Sequence, residues 1–189
     1  SCPANKSFDV TGSCEFSLTD YFSEATFSDN CTLAASISVS QNPISGTTIS
    51  GDGTTQTVTL TADDGNGNSA FCDFEITISD NENPNISCPS NKNFDVDGSC
   101  EFALTDYTSE ATISDNCTLA ASISVSQNPI SGTTISGDGT TQTVTLTADD
   151  GNGNSASCDF EITISDSENP SISCPANKNF DVANKFNKI

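Results

Sequence analysis

Cysteine is the residue with the clearest chemical pattern in this chain. Eight of the nine cysteines form two sets that are 86 residues apart: Cys2, Cys14, Cys31 and Cys72, then Cys88, Cys100, Cys117 and Cys158. Four cysteines per small, polar, Ser/Thr-rich unit predict two disulfides per unit and an oxidising compartment outside the cell. A zinc site is a weaker interpretation, because the chain has no His and no C-x-x-C pair.

The connectivity of these cysteines is open, since four cysteines allow three pairings that a sequence does not distinguish. We favour pairing the first cysteine with the second and the third with the fourth: Cys2–Cys14, Cys31–Cys72, Cys88–Cys100 and Cys117–Cys158. Cys174 opens a third copy that ends before the counterpart of Cys14. We therefore expect Cys174 to be unpaired and the chain to be a segment of a longer array.

The chain is a tandem repeat of one unit. Residues 28–70 are identical to residues 114–156, and a fixed period of this size marks an array of one folding unit. The predicted domains are repeat 1 at residues 1–80, repeat 2 at 81–166, and the truncated start of a third repeat at 167–189. Because only 33% of the residues are hydrophobic, each unit has a small core that disulfides would reinforce.

Charge excludes several classes of function. The formal net charge is −21, all five basic residues are Lys, and there is no Arg or His. Nucleic acids and anionic membranes need basic surfaces, so neither is an expected partner, and no apolar span is long enough to insert into a bilayer. An enzyme is also not expected, because no general base accompanies the many Ser and Thr residues.

Strand patterns dominate each unit. Residues 57–62 and 74–79 alternate strictly between apolar and polar side chains, and shorter stretches of the same kind lie at 8–10, 14–18 and 36–40. Turn-forming clusters of Gly, Asn, Asp and Pro separate them. Several short strands at this spacing predict an all-β sandwich, and no window has helical periodicity.

Five motifs of repeat 2, each with a counterpart in repeat 1, point to one family. They are Ser87-Cys88-Pro89, Asp115-Asn116-Cys117, the acidic turn 148–152, the strand 158–164 and the exit Asp166-x-Glu168-Asn169-Pro170. Each unit resembles the hyalin repeat (HYR) domain of extracellular adhesive proteins. The resemblance implies tandem immunoglobulin-like β-sandwich domains and a role in extracellular adhesion.

The acidic loops form a candidate metal site. In an immunoglobulin-like sandwich, the loop before Cys117 and the loop between the last two strands lie at the end that faces the preceding domain. Eight oxygen-bearing residues would then meet at the junction: Asp80, Glu82, Asn83, Asp115, Asn116, Asp149, Asp150 and Asn152. Ca²⁺ takes six to eight such oxygen ligands, whereas the carboxylates alone would repel one another. The alternative is that these Asp, Asn and Gly residues simply cap turns.

The sequence therefore predicts a structural stalk or fibre segment of an extracellular adhesin or surface filament. Disulfides and structural Ca²⁺ at the domain junctions would make it rigid, and its partners would be neighbouring repeats and other copies in a filament. The near-identity of the two copies favours a spacer over a recognition domain. The alternative is a binding module for carbohydrate or a partner protein, which would use exposed Thr/Ser-rich strands such as 54–61 or the loop ends.

Overall fold

The computed structural model of the 189-residue chain describes residues 1–96 and 98–179. The two repeats fold as tandem immunoglobulin-like β-sandwiches, so the predicted all-β fold class is confirmed. The helices in the described residues are three-residue 3₁₀ turns at Phe22–Glu24, Ala34–Ser36 and Thr108–Glu110. None of them is long and apolar enough to cross a membrane.

Repeat 1 contains six strands: β1 (Lys6–Val10), β2 (Glu15–Ser17), β3 (Ser38–Asn42), β4 (Thr48–Ser50), β5 (Thr55–Asp63) and β6 (Ser69–Asp80). The larger sheet has the order β1-β6-β5-β3, and β2 pairs with β4 on the other side of the sandwich. Strand β1 runs parallel to β6, whereas the other pairs are antiparallel.

The described part of repeat 2 contains eight strands: β7 (Asn85–Ser87), β8 (Lys92–Asp95), β9 (Glu101–Ala103), β10 (Thr112–Ser114), β11 (Ser124–Asn128), β12 (Thr134–Ser136), β13 (Thr141–Asp149) and β14 (Ser155–Ser165). The sheet β8-β14-β13-β11 and the pair β9-β12 reproduce repeat 1. The antiparallel pair β7-β10 has no counterpart in the described part of repeat 1.

The core of each repeat follows from the alternation of its long strands. The buried hydrophobic residues of β5 and β6 are Val58, Leu60, Phe74, Ile76 and Ile78, which are apolar positions of the alternation found in the sequence. Tyr21 packs edge-on against Phe74, with ring centroids 5.1 Å apart. The equivalent residues form a second, separate core in repeat 2.

Two disulfides each close one repeat, but not with the predicted pairing. Cys2 bonds to Cys72 and Cys88 bonds to Cys158, both with Cα atoms 5.6 Å apart. The predicted pairs Cys2–Cys14, Cys31–Cys72, Cys88–Cys100 and Cys117–Cys158 are wrong. The reason is the parallel pairing of β1 with β6, whose register joins residues 70 positions apart, as in Lys6 and Ile76. The same offset places Cys2 beside Cys72.

The third disulfide joins the two repeats. Cys14 of repeat 1 bonds to Cys117 of repeat 2, with Cα atoms 4.8 Å apart. Within the described residues, Cys31, Cys100 and Cys174 have no disulfide partner. The expectation that Cys31 and Cys100 pair inside their own repeats is therefore wrong, because their expected partners, Cys72 and Cys88, bond to Cys2 and Cys158.

Candidate functional site at the junction of the repeats

The interrepeat disulfide lies between a tight turn and a loop. Cys14 stands between β1 and β2 with a left-handed backbone (φ 53°), and its carbonyl accepts a hydrogen bond from the Gly51 N–H at 3.2 Å. Cys117 lies in the loop that follows β10. The bond therefore ties the exit end of repeat 1 to a loop of repeat 2.

The segment that leaves repeat 1 also completes the fold of repeat 2. Pro84 is fully buried, and Ile86 packs against the core of repeat 2. In the β7-β10 pair, Ile86 lies opposite Ile113. Residues 80–87, which we call exit segment 1, are thus both the linker between the repeats and a part of the second sandwich.

Three carboxylates from both repeats converge beside this linker. Asp80 ends β6, Asp115 follows β10, and Asp150 begins the turn between β13 and β14. One carboxylate oxygen of each lies within 4.8 Å of the other two. Asp80 and Asp150 are only 3% and 4% exposed, so little water screens their mutual repulsion. We call these three residues the carboxylate cluster.

In both Asp80 and Asp115, backbone N–H groups bind one carboxylate oxygen and the second oxygen has no partner. Asp80 Oδ1 accepts the Glu82 N–H at 3.1 Å, and Asp115 Oδ2 accepts the N–H groups of Cys117 and Thr118 at 2.8 Å each. Asp80 Oδ2 and Asp115 Oδ1 are buried and have no hydrogen-bond partner in the described structure. A buried oxygen without a partner is unfavourable, so both atoms are available to a hydrogen-bond donor or to a cation.

Asp150 is held in its ionised form. Burial would raise the pKa of Asp150, but the Asn154 side chain and the backbone N–H groups of Asn152, Asn154 and Gly153 together lower it below the ordinary value. The Asn154 amide donates to Asp150 Oδ2 at 2.7 Å and to the Asp80 carbonyl at 3.2 Å. Asn154 therefore connects the two repeats as well as orienting the carboxylate.

Asn116 contributes a further oxygen at the same junction. Its amide nitrogen donates to the Val10 carbonyl of repeat 1 and to Cys117 Sγ, at 3.5 Å each. Its Oδ1 atom is buried without a partner. This orientation leaves a neutral hard oxygen available at the junction of the repeats.

The other predicted ligands lie outside the carboxylate cluster: Glu82, Asn83, Asp149 and Asn152. Glu82 accepts a hydrogen bond from the Gly12 N–H at 3.3 Å, and Asp149 accepts the Gly151 N–H at 2.8 Å. The Asp149 oxygen thus caps a local turn, as the alternative interpretation predicts for Asp, whereas the Glu82 oxygen contacts the turn that follows β1. Sequence reasoning missed Asn154, although it is the last Asn of the same acidic turn.

Repeat 1 carries the corresponding loops without an exit segment beside them. The N–H groups of Cys31 and Thr32 lower the pKa of Asp29, the counterpart of Asp115. The Asn68 side chain and nearby N–H groups lower the pKa of Asp64, the counterpart of Asp150. Both carboxylates are thus oriented as in repeat 2, but among the described residues no third carboxylate joins them as Asp80 joins Asp115 and Asp150.

Comparison with known families accounts for this repeated unit. The HYR domain model matches residues 1–78 and again residues 79–164. The chain belongs to the HYR domain family. HYR domains are extracellular adhesion-type repeats, and such domains are typically non-enzymatic; three disulfides fit a secreted or surface protein. The predicted boundaries at residues 80 and 166 stay predictions.

Solved structures give weaker similarities. Fibronectin(III)-like modules of CbhA from Clostridium thermocellum are 12% identical with a TM-score of 0.34, and the match covers 91% of this chain and 96% of that one. PcdhgB3 EC1-4 is 14% identical (TM-score 0.31; 87% and 49% covered). Protocadherin Gamma B2 extracellular cadherin domains 1-5 are 16% identical (TM-score 0.33; 86% and 38% covered). A search of curated protein sequences gave no significant match.

Proposed function

We propose that this chain is a structural spacer, a stalk or fibre segment of an extracellular adhesion-type protein. The junction carries the proposal. There the Cys14–Cys117 bond, exit segment 1 with its buried Pro84, and the carboxylate cluster all connect one repeat to the next. Independent domains on a flexible linker need none of these connections. Three of them at one joint serve to hold a defined arrangement of the repeats.

Calcium is the ion that fits the carboxylate cluster best. The three carboxylates and Asn116 Oδ1 supply four hard oxygens, and water would complete the six to eight that Ca²⁺ takes. Mg²⁺ prefers one or two carboxylates and retains most of its water. At separations up to 4.8 Å, each pair of charges repels by at least about 3.5 kcal/mol for an effective dielectric constant of about 20. A divalent cation would offset that repulsion.

An ion at this position would stiffen the joint, because its ligands belong to both repeats. Asp80 ends the last strand of repeat 1, whereas Asp115 and Asp150 lie in loops of repeat 2. With the ion bound, a change in the angle between the repeats would lengthen metal–oxygen bonds. Without the ion, the same carboxylates would push the two ends apart.

Titration calorimetry with CaCl₂ tests the metal site. We expect one Ca²⁺ per chain and at least tenfold weaker binding for Asp150→Asn. The matched control is Asp64→Asn, the same residue in repeat 1, which should leave the affinity unchanged. Failure to bind Ca²⁺ at millimolar concentration, or equal weakening by both variants, would remove the ion from the proposal.

Small-angle scattering of the chain in Ca²⁺ and then in EDTA tests the spacer itself. We expect an extended particle in both buffers and a narrower distribution of lengths with Ca²⁺. A compact particle in both buffers would contradict the spacer. Selective binding on a glycan array would favour the alternative, a carbohydrate-binding module.

A further inference from the structure

Each repeat contains a long segment without charged side chains. Residues 30–51 and 116–137 have no Asp, Glu or Lys, although 16% of the whole chain is charged. The same segments carry four of the large hydrophobic residues that lie on the surface of the described structure, each 70–78% exposed: Leu33, Ile44, Leu119 and Ile130. The surface that these two segments form, which we call the uncharged surface, therefore differs from the acidic remainder of the chain.

The uncharged surface includes a free sheet edge in each repeat. Strand β3 is the end strand of the sheet β1-β6-β5-β3, and β11 has the same place in repeat 2. Among the described strands, β3 pairs only with β5 and β11 only with β13. A row of backbone N–H and C=O groups therefore points away from the sheet. Leu33 precedes β3 and Ile44 follows it, so the edge has an exposed aliphatic side chain near each end.

Open space lies along this edge. In repeat 1, a recess of about 300 Å³ has walls that include Val39, Ser40, Gln41, Ile44, Phe22 and Asp20. A side chain holds the neighbouring segment in place, since Gln41 donates to the Thr19 carbonyl at 3.0 Å and accepts the Tyr21 N–H at 3.1 Å. The outer side of the β3 backbone is thus left for another strand.

The neighbouring repeats of the chain do not cover these edges. Repeat 1 is followed by a repeat and repeat 2 is preceded by one, yet Leu33 and Leu119 are both 78% exposed. The alternate residues of β11 are exposed in the same way as those of β3, as are the isoleucines that follow the two strands. The exposure therefore belongs to the fold of the repeat and does not depend on its place in the chain.

The opposite edge of the same sheet carries charge. Strand β1 contains Lys6 and Asp9, and β8 contains the equivalent Lys92 and Asp95. Lys6 also forms an ion pair with Glu24, with 2.7 Å between Nζ and Oε2. Charged side chains on an edge strand hinder its pairing with another chain. Because β3 and β11 have none, one edge of the sheet is protected against strand pairing and the other is open to it.

We propose that the β3 and β11 edges bind the same edges of a second copy of this chain. The strands would run antiparallel, so that the sheet of one copy continues into the sheet of the other. A two-fold axis lets one surface bind itself, and it would place Ser40, the middle residue of β3, opposite Ser40 or Ser126 of the second copy. Ile44 would then lie near the segment that precedes the edge strand of the second copy.

Charge favours a second copy over other occupants. With a net charge of −21, two copies repel one another over most of their surface, and this repulsion is weakest at the uncharged surface. A basic partner would instead be attracted to the acidic loops. The free backbone groups fit an extended strand and the aliphatic residues fit an apolar surface, and the same edge of another copy supplies both. This side-by-side contact goes beyond the spacer function and depends neither on it nor on the metal ion.

Sedimentation velocity of the whole chain tests the contact. Every chain carries Cys31→Ser, Cys100→Ser and Cys174→Ser, which removes the thiols that are free in the described structure, and the buffer contains EDTA. We expect a reversible dimer that becomes about tenfold tighter when NaCl is raised from about 0.05 M to about 0.5 M, because salt screens the repulsion between the copies. A chain that stays monomeric at about 1 mM in the higher salt would overturn the proposal.

Two oppositely charged variants test the pairing of the edges. Ser40→Lys with Ser126→Lys places like charges opposite one another across the contact and should weaken the dimer about fivefold. Ser40→Glu with Ser126→Glu should weaken it to a similar extent. An equimolar mixture of the two variants should form a mixed dimer about tenfold tighter than either variant alone. A mixture that associates no more tightly than the separate variants would contradict the antiparallel pairing.

The matched control places the same charge on a central strand. Thr57 of β5 and Thr143 of β13 are exposed, and they lie on the face of the sheet that Ser40 and Ser126 share. Thr57→Lys with Thr143→Lys should not weaken the dimer. Equal weakening by this control would place the contact on the face of the sheet and overturn the edge pairing. The scattering and calorimetry described above test the spacer and the metal site on the single chain, so failure of the dimer is distinguishable from failure of either.

Discussion

Replacing Ile86 with Ser should selectively destabilise repeat 2. Ile86 is half-buried and packs against the core of that repeat, although it lies in the linker. Full burial of an aliphatic side chain of this size contributes about 1.5–3 kcal/mol. For a half-buried residue, we expect a loss of about 1–2 kcal/mol. For a domain of this length, the midpoint of thermal unfolding should fall by about 4–8 °C for each kcal/mol.

The repeat supplies a matched control and a built-in reporter. Ile172 is the same residue one period later and is 90% exposed, so Ile172→Ser should change the free energy of unfolding by less than about 0.5 kcal/mol. The chain has two tyrosines and no tryptophan. Tyr21 is buried in repeat 1 and Tyr107 in repeat 2. Fluorine-labelled tyrosine therefore gives one NMR signal for each repeat during urea or thermal unfolding.

The expected pattern is a loss of stability reported by Tyr107 in Ile86→Ser and no loss in Ile172→Ser. If Ile86→Ser leaves the Tyr107 transition in place, exit segment 1 is only a linker and does not complete the fold of repeat 2. If both variants destabilise the chain equally, the effect belongs to the substitution and not to the junction.

Two further predictions concern single features. Replacing Cys88 and Cys158 with Ser removes a link with a sequence separation of 70, and it should lower the stability of repeat 2 by about 4 kcal/mol in the chain-entropy description, measured from the Tyr107 signal. Thr108→Val should raise the pKa of Asp106 towards its ordinary value of 3.8, because it keeps the backbone N–H that lowers this pKa most and removes the hydroxyl that lowers it further. An NMR titration of the Asp106 carboxyl carbon should therefore show a pKa closer to 3.8 in Thr108→Val than in the unchanged chain. A lowered pKa stabilises the fold at pH values above the ordinary pKa, and this contribution is lost as the pH falls through the folded value.

Local patterns were sufficient to predict the strands. The alternation in residues 57–62 and 74–79 is a property of adjacent positions, and both stretches lie in the long strands β5 and β6. The disulfide pairing depends on a contact between distant segments, the parallel register of β1 with β6. The spacing between neighbouring cysteines carries no information about that register. The predicted pairing of Cys2 with its nearest neighbour Cys14 was therefore wrong.

The junction could be predicted only as far as topology determines it. The order of strands in a sandwich places the loops of Asp115 and Asp150 at one end, and the structure brings them to Asp80. Topology does not say which side chain of a turn points inwards, so Asp149 was included and Asn154 was missed. The interrepeat bond was missed because we considered pairs within one unit, although a repeat allows the cysteine at one position to bond to the next copy.

The disulfide arrangement limits how far the chain can be stretched. Cys2 is bonded to Cys72 and Cys88 to Cys158, so the residues between each pair cannot extend while the bond is intact. In each 86-residue period, only the segment from Cys72 to Cys88, which is 16 residue steps long, can still extend. At about 3.5 Å per residue they span roughly 56 Å, against roughly 300 Å for a whole unfolded period. The same 16 steps contain the end of β6 and the linker, and the Cys14–Cys117 bond connects the repeats on either side of them. A pulled chain could therefore lengthen only through this short segment while its disulfides are intact. This property supports the proposed spacer, which must keep its length under load. A domain that binds a single ligand has no such requirement.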